Sequence, residues 1–139
     1  MTDDTPELAR RHLRFGWYAL AAFSVLGLGL ELLHAFKLGF YLDVASETRR
    51  LMWRLAHAHG TLLALVNIAF AGCAARLEPG RARRRASACF IVAALSMPLG
   101  FFLGGAFASV ADPSALVALV PAGAALLVAG AVSAARAAR

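Results

Sequence analysis

The stretch "LAHAHGTLLALVNIAFAGCAA", residues 55–75, decides the class of fold. It contains no Asp, Glu, Lys or Arg. A helix of roughly 20 such residues matches the hydrocarbon thickness of a bilayer. The stretch also opens with two histidines, His57 and His59, one residue apart. His-x-His is a ligand pair on a β-strand, where positions i and i+2 share a face. On a helix the two side chains diverge by about 160°. They therefore belong to different faces, and only one of them can look into a given site.

Outward from this stretch the same character recurs. Of 139 residues, 60% are hydrophobic and only 16% charged. A soluble domain carries about 25% charged residues. Mean hydropathy is +0.69. Apolar runs at 15–38, 55–75, 86–110 and 115–135 each reach spanning length. The expectation is one membrane domain over residues 1–139, an antiparallel four-transmembrane-helix bundle with short connections. Arg10, Arg11 and Arg14 precede the first run as the charged start of a signal peptide would, but the run is too long, which predicts an uncleaved helix.

Local signals set the boundaries. Thr5 before Pro6 predicts an N-cap and a short interfacial helix leading into the first span. Ser46 predicts an N-cap for a second helix over 47–76, longer than the hydrocarbon core, whose first turns carry Arg49, Arg50, Trp53 and Arg54. Pro98 and Pro121 predict kinks in the third and fourth helices, over about 86–110 and 115–135. Tyr41 and Trp53 read as interface anchors. Cys73 and Cys89 read as small buried thiols.

The net charge of +6 sits at the ends of apolar runs, which argues for membrane topology rather than nucleic-acid binding. Thirteen of the 14 basic residues are arginine. They favour a cytoplasmic side holding the N-terminal arm, the "LEPGRARRR" turn (77–85) and Arg136 with Arg139. A bacterial inner membrane is the expected location. Arg49, Arg50 and Arg54 fall on the outer side, against that bias, and call for a specific reason.

Ionisable residues inside spans are costly and usually functional. Here they cluster in two helices: Glu31 and His34 in the first, His57, His59 and the deeper Asn67 in the second. Helical spacing places Ser24, Gly27, Glu31 and His34 on one stripe. Arg50, Trp53, Arg54, His57 and Thr61 share one side of the second helix, and His59 faces elsewhere. Two imidazoles across a helical seam can ligate haem b. The expected axial ligands are His34 and His57, with His59 an alternate ligand or a contact to a second protomer. Glu31 would orient His34 by a hydrogen bond. Lys37, Arg50 and Arg54 would bind the propionates, and Gly100, Gly104 and Gly105 would leave room. Such a protein would transfer electrons, sense, or carry out small-molecule redox chemistry as an oxidoreductase.

Other readings remain open. Copper or zinc could sit on His34, His57 and Glu31. A di-iron site would need a second Glu-x-x-His pair, which the sequence lacks. Glu31 alone suits a small proton-coupled transporter. The chain could also be a structural subunit. Small residues such as Gly100, Gly104 and Gly123 favour close helix packing and a homo-oligomer or partner subunit.

The segment "LAHAHGTLLALVNIAF", residues 55–70, resembles the HxHxxLLG segments of short bacterial membrane proteins related to cytochrome oxidase subunit I. His57, His59, Gly60 and Leu63 carry the match. The resemblance implies haem ligation at the outer ends of helices. Too few histidines are present for a complete haem-copper centre.

Overall fold

The computed structural model describes residues 4–109 and 112–138. The order is α1 (Thr5–Ala35), a single turn α2 (Gly39–Leu42), α3 (Glu47–Cys73), α4 (Arg81–Ala106) and α5 (Leu119–Ala137), with short 3-10 turns at Val44–Ser46, Ala74–Arg76 and Ala115–Ala118. Among the described residues four helices are long and apolar enough to cross a membrane. The chain is therefore a multi-pass membrane protein by its helices. The end expected for the third span, Val110, lies outside the described residues, as does Arg139.

Among the described residues no separate interfacial helix leads into the first span: α1 is a single helix of 31 residues, roughly 46 Å long. Its N-cap is Asp4 rather than Thr5, and Asp4 makes no cap bond because its carboxylate pairs with Arg83 of α4. Ser46 does stand at the N-cap of α3, but its hydroxyl donates to the Phe40 carbonyl (2.7 Å) and ties down α2. Pro98 lies inside α4. Pro121 falls in the first turn of α5, where its missing N–H breaks no helical bond.

At its other end, α1 stops three residues before the expected Leu38. Lys37 takes a left-handed φ of 52°. Its N–H reaches the His34 carbonyl (3.1 Å), and the Leu38 N–H reaches Leu33 (3.1 Å). This is a Schellman closure with lysine in the position glycine usually fills.

The helices stand in a row. α1 packs on α3, α3 on α4 and α4 on α5, while α1 and α5 have no close backbone approach. One buried cluster gathers Leu8, Phe70, Ala74, Leu77, Ala86, Phe90 and Ala137 from the start of α1, the end of α3 and the connection after it, the start of α4 and the end of α5. A second gathers Ala56, Leu63, Ala94, Met97 and Phe101 from α3 and α4. The glycines of α4 form a packing surface and leave no room there. Gly100 and Gly104 meet Leu119, Val120 and Val117, and Gly105 meets Met52 and Trp53.

Close approach of α1 to α3 depends on Gly16. A Cβ there would lie 2.6 Å from Ile68 Cγ1 and 3.0 Å from the Ala64 carbonyl oxygen. The obstruction includes backbone, so the helices must separate. Gly16→Ala is expected to lose about 1–3 kcal/mol. Gly29→Ala, with nothing within 4 Å, is expected to be neutral or to gain up to about 1 kcal/mol from helix propensity. Thermal unfolding in detergent, followed by circular dichroism, compares the two; equal melting temperatures would refute this account of the α1–α3 seam.

Candidate functional site

Two polar constellations lie on α1 and α3, one towards each end. The first is a half-open groove of about 860 Å³ on the α1–α3 seam. From α1 it receives Ser24, Gly27, Glu31 and His34; from α3, Arg50, Arg54 and His57; from α2, Tyr41. The two stripes read from helical spacing thus meet in space. The groove lies on the side of the row, however, and Glu31 and His34 are exposed rather than interior.

His57 is the best-defined group in it. Its Nδ1–H donates to the Phe23 carbonyl across the seam (2.7 Å). A carbonyl oxygen only accepts, so the proton sits on Nδ1 and the lone pair on Nε2. The ring lies against the α1 backbone at Gly27, where any Cβ would overlap it. Arg50 Nη1 donates to the Tyr41 and Leu42 carbonyls (3.0 and 3.1 Å), and Arg49 Nη1 to Phe40 (3.0 Å). These bonds give Arg49 and Arg50 a local role, which is to satisfy the carbonyls of α2. Arg54, Glu31 and His34 make no hydrogen bond or ion pair among the described residues. The expected Glu31–His34 bond is therefore not formed.

Tyr41 is packed inside the chain and Trp53 is half-buried. Tyr41 is 2% exposed and stacks on Trp53 (centroids 6.4 Å apart), which stacks on Phe102 (5.5 Å) and donates its indole N–H to the Phe102 carbonyl (3.1 Å). Burial pushes the Tyr41 phenol above its usual range, against the pull of Arg54 and Arg50, and Glu31 adds to the rise. Tyr41 is thus a neutral group at the edge of the groove. Lys37 does not line the groove and extends outward. His59 belongs to the opposite face: its Nδ1–H donates to Leu55 (2.9 Å) and its ring lies 4.8 Å from that of Phe101 on α4. His59 remains half-buried there. Among the described residues no three His, Cys, Asp or Glu side chains stand together as a group that could hold a metal ion. Cys73 is exposed, Cys89 buried, and both are free.

The second constellation centres on His12 of α1, which sequence reasoning did not single out. It is fully buried. Asn67 Nδ2 donates to the Leu63 carbonyl (2.9 Å) and to that of Phe90 (3.4 Å), so Asn67 Oδ1 is the atom facing His12. His12 Nδ1–H donates to it (2.7 Å), and the Ser87 hydroxyl donates to His12 Nε2 (2.8 Å). Arg11 Nη2 donates to Ser87 Oγ (2.5 Å). The ring packs edge-on to Phe70 at 4.7 Å. The order Ser–His–Asn resembles a nucleophile, base and orienting group, yet Ser87 is 1% exposed and sits inside α4. Here the chain of bonds joins α1, α3 and α4. A signal for it existed: Leu8, His12 and Gly16 repeat every four residues, and all three are buried.

No family model, curated protein or solved structure matches this chain.

The His12 network makes a double-variant test. Asn67→Leu leaves a buried N–H without a partner and is expected to cost about 1–3 kcal/mol. Adding His12→Phe removes the orphaned donor and should recover part of that loss. Strict additivity of the two changes in thermal unfolding would rule out the coupling.

Proposed function

We propose that this chain is a multi-pass protein of a bacterial inner membrane, with antiparallel helices and cytoplasmic termini, whose groove binds haem b. The arginines at the start of α1 and α4 and the end of α5 support that orientation. One observation carries the haem reading. His57 is locked by Phe23 in the tautomer that leaves Nε2 free, and it borders a cavity that also holds a second imidazole and two guanidinium groups.

The residues fit the group. A carbonyl accepting from one ring nitrogen is the usual support for an imidazole that ligates iron through the other. The groove's volume falls within the range of cofactor sites, roughly 300–1,000 Å³. Arg54 has its full set of donors for a propionate, and Arg50 retains donors beyond those used on α2. Leu28, Leu51 and Leu55 supply apolar wall. His34 is the second candidate ligand, and Glu31 sets the charge beside it. Haem, when bound, supplies one-electron chemistry. The protein's part is to fix the His57 tautomer, offer cations to the propionates and keep one side of the site apolar.

The test is optical. Protein purified from haem-replete cells, or titrated with haemin, should show a Soret band. His57→Ala should abolish it, His34→Ala should alter or weaken it, and His59→Ala should leave it unchanged. Arg54→Gln should weaken haem retention about tenfold, the loss of one charge-assisted contact. A folded protein with no Soret band under either condition would overturn the proposal.

A further inference from the structure

A second cavity, of about 400 Å³, opens between the starts of α1 and α4. It is lined by Asp4, Glu7 and Arg11 from the first turns of α1 and by Arg84 and Ser87 from α4. It lies at the end of the molecule where the arginines gather, opposite the groove. Most of its polar atoms are already engaged. Asp4 pairs with the buried Arg83, which also donates to Thr5 Oγ1 (2.5 Å). Ser87 is held by Arg11 and His12. What remains are the guanidinium of Arg84, the unused donors of Arg11 and the carboxylate of Glu7. Neither Arg84 nor Glu7 has a hydrogen bond or ion pair among the described residues. Two cationic forks and the Glu7 carboxylate thus face a shared cavity at a helix end without neutralising one another, beside the Asp4 carboxylate that Arg83 already holds.

The setting adds to the demand for an anion. Arg81, Arg83, Arg84 and Arg85 crowd the start of α4, with no acidic residue in its first turn and no side-chain cap. A helix N-terminus carries partial positive charge, so these cations are placed unfavourably by themselves. A simple anion would satisfy the arginines but would meet the Glu7 carboxylate. The complement to both is a zwitterion: a phosphodiester for Arg11 and Arg84, and an ammonium with N–H donors for Glu7.

We propose that this cavity binds the headgroup of phosphatidylethanolamine, with the phosphate on Arg11 and Arg84 and the ammonium on Glu7. Basic cavities between membrane helices are known headgroup sites. The choice of a zwitterionic lipid runs against the chain's net charge of +6, which by itself favours anionic lipid. This inference is independent of what the groove at the other end binds.

Native mass spectrometry of the detergent-solubilised full chain tests it, with phosphatidylethanolamine, phosphatidylglycerol and phosphatidylcholine titrated separately. Phosphatidylethanolamine should bind most tightly; phosphatidylcholine lacks the N–H donors for Glu7. Arg84→Gln should weaken it about tenfold, whereas Arg85→Gln, exposed and outside the lining, should not. Glu7→Gln should reverse the order and favour phosphatidylglycerol. Glycerophosphoethanolamine, the soluble headgroup, should fail to displace the lipid at equal concentration. Preference for phosphatidylglycerol in the wild type would overturn the proposal, as would equal losses in the two arginine variants. Equal competition by the soluble headgroup would overturn the assignment to a lipid.

Discussion

A neutral imidazole with a partner on each ring nitrogen holds three helices together at one point. Between helices surrounded by lipid, burial of apolar surface supplies little attraction, and packing with hydrogen bonds decides which faces meet. His12 contributes both. Asn67 accepts from it on α3, Ser87 donates to it on α4, and Phe70 packs against the ring. Asn67 also satisfies a carbonyl on each of α3 and α4. Each polar atom has a partner of the right kind, so the network specifies one rotation of each helix rather than a range. The Arg83–Asp4 pair just beyond it seals the same end.

The groove follows from how little else α1 touches. Its backbone approaches α3 closely along most of its length and α4 hardly at all. A polar stripe on α1 therefore cannot be buried in the centre of a closed bundle. It lies along the α1–α3 seam, where Gly27 lets His57 tuck under the helix and Phe23 fixes its proton. Below it, Phe23 packs on Gly60, closing the seam with an aromatic ring against bare backbone.

Much of this was legible. Spans, helix starts near residue 47 and the stripe of Ser24, Gly27, Glu31 and His34 follow from periodicity, because a helix imposes its own geometry. The divergence of His57 and His59 followed for the same reason. What was hidden depends on neighbours. His12 sits among three arginines, and local charge masked a residue whose own stripe, Leu8 to Gly16, is buried. Trp53 and Tyr41 have the composition of interface anchors, and their stacking in one column with Phe102 depends on neighbours distant in sequence. Lys37 ends α1 without the glycine that marks such endings. Arg50 serves the α2 carbonyls as well as the groove, a division that no spacing rule reveals.

The uneven anchoring of α1 gives it the mechanics of a lever. Its fulcrum is His12, bonded on two sides, while its far half rests mainly on α3. From residue 12 to residue 31 the helix rises roughly 28 Å. A tilt of about 4° at the fulcrum then carries Glu31 about 2 Å, for a displacement near His12 too small to break a hydrogen bond. The polar pin and the distant groove thus share one helix, and a tilt at the first would change the width of the second without altering any residue that lines it.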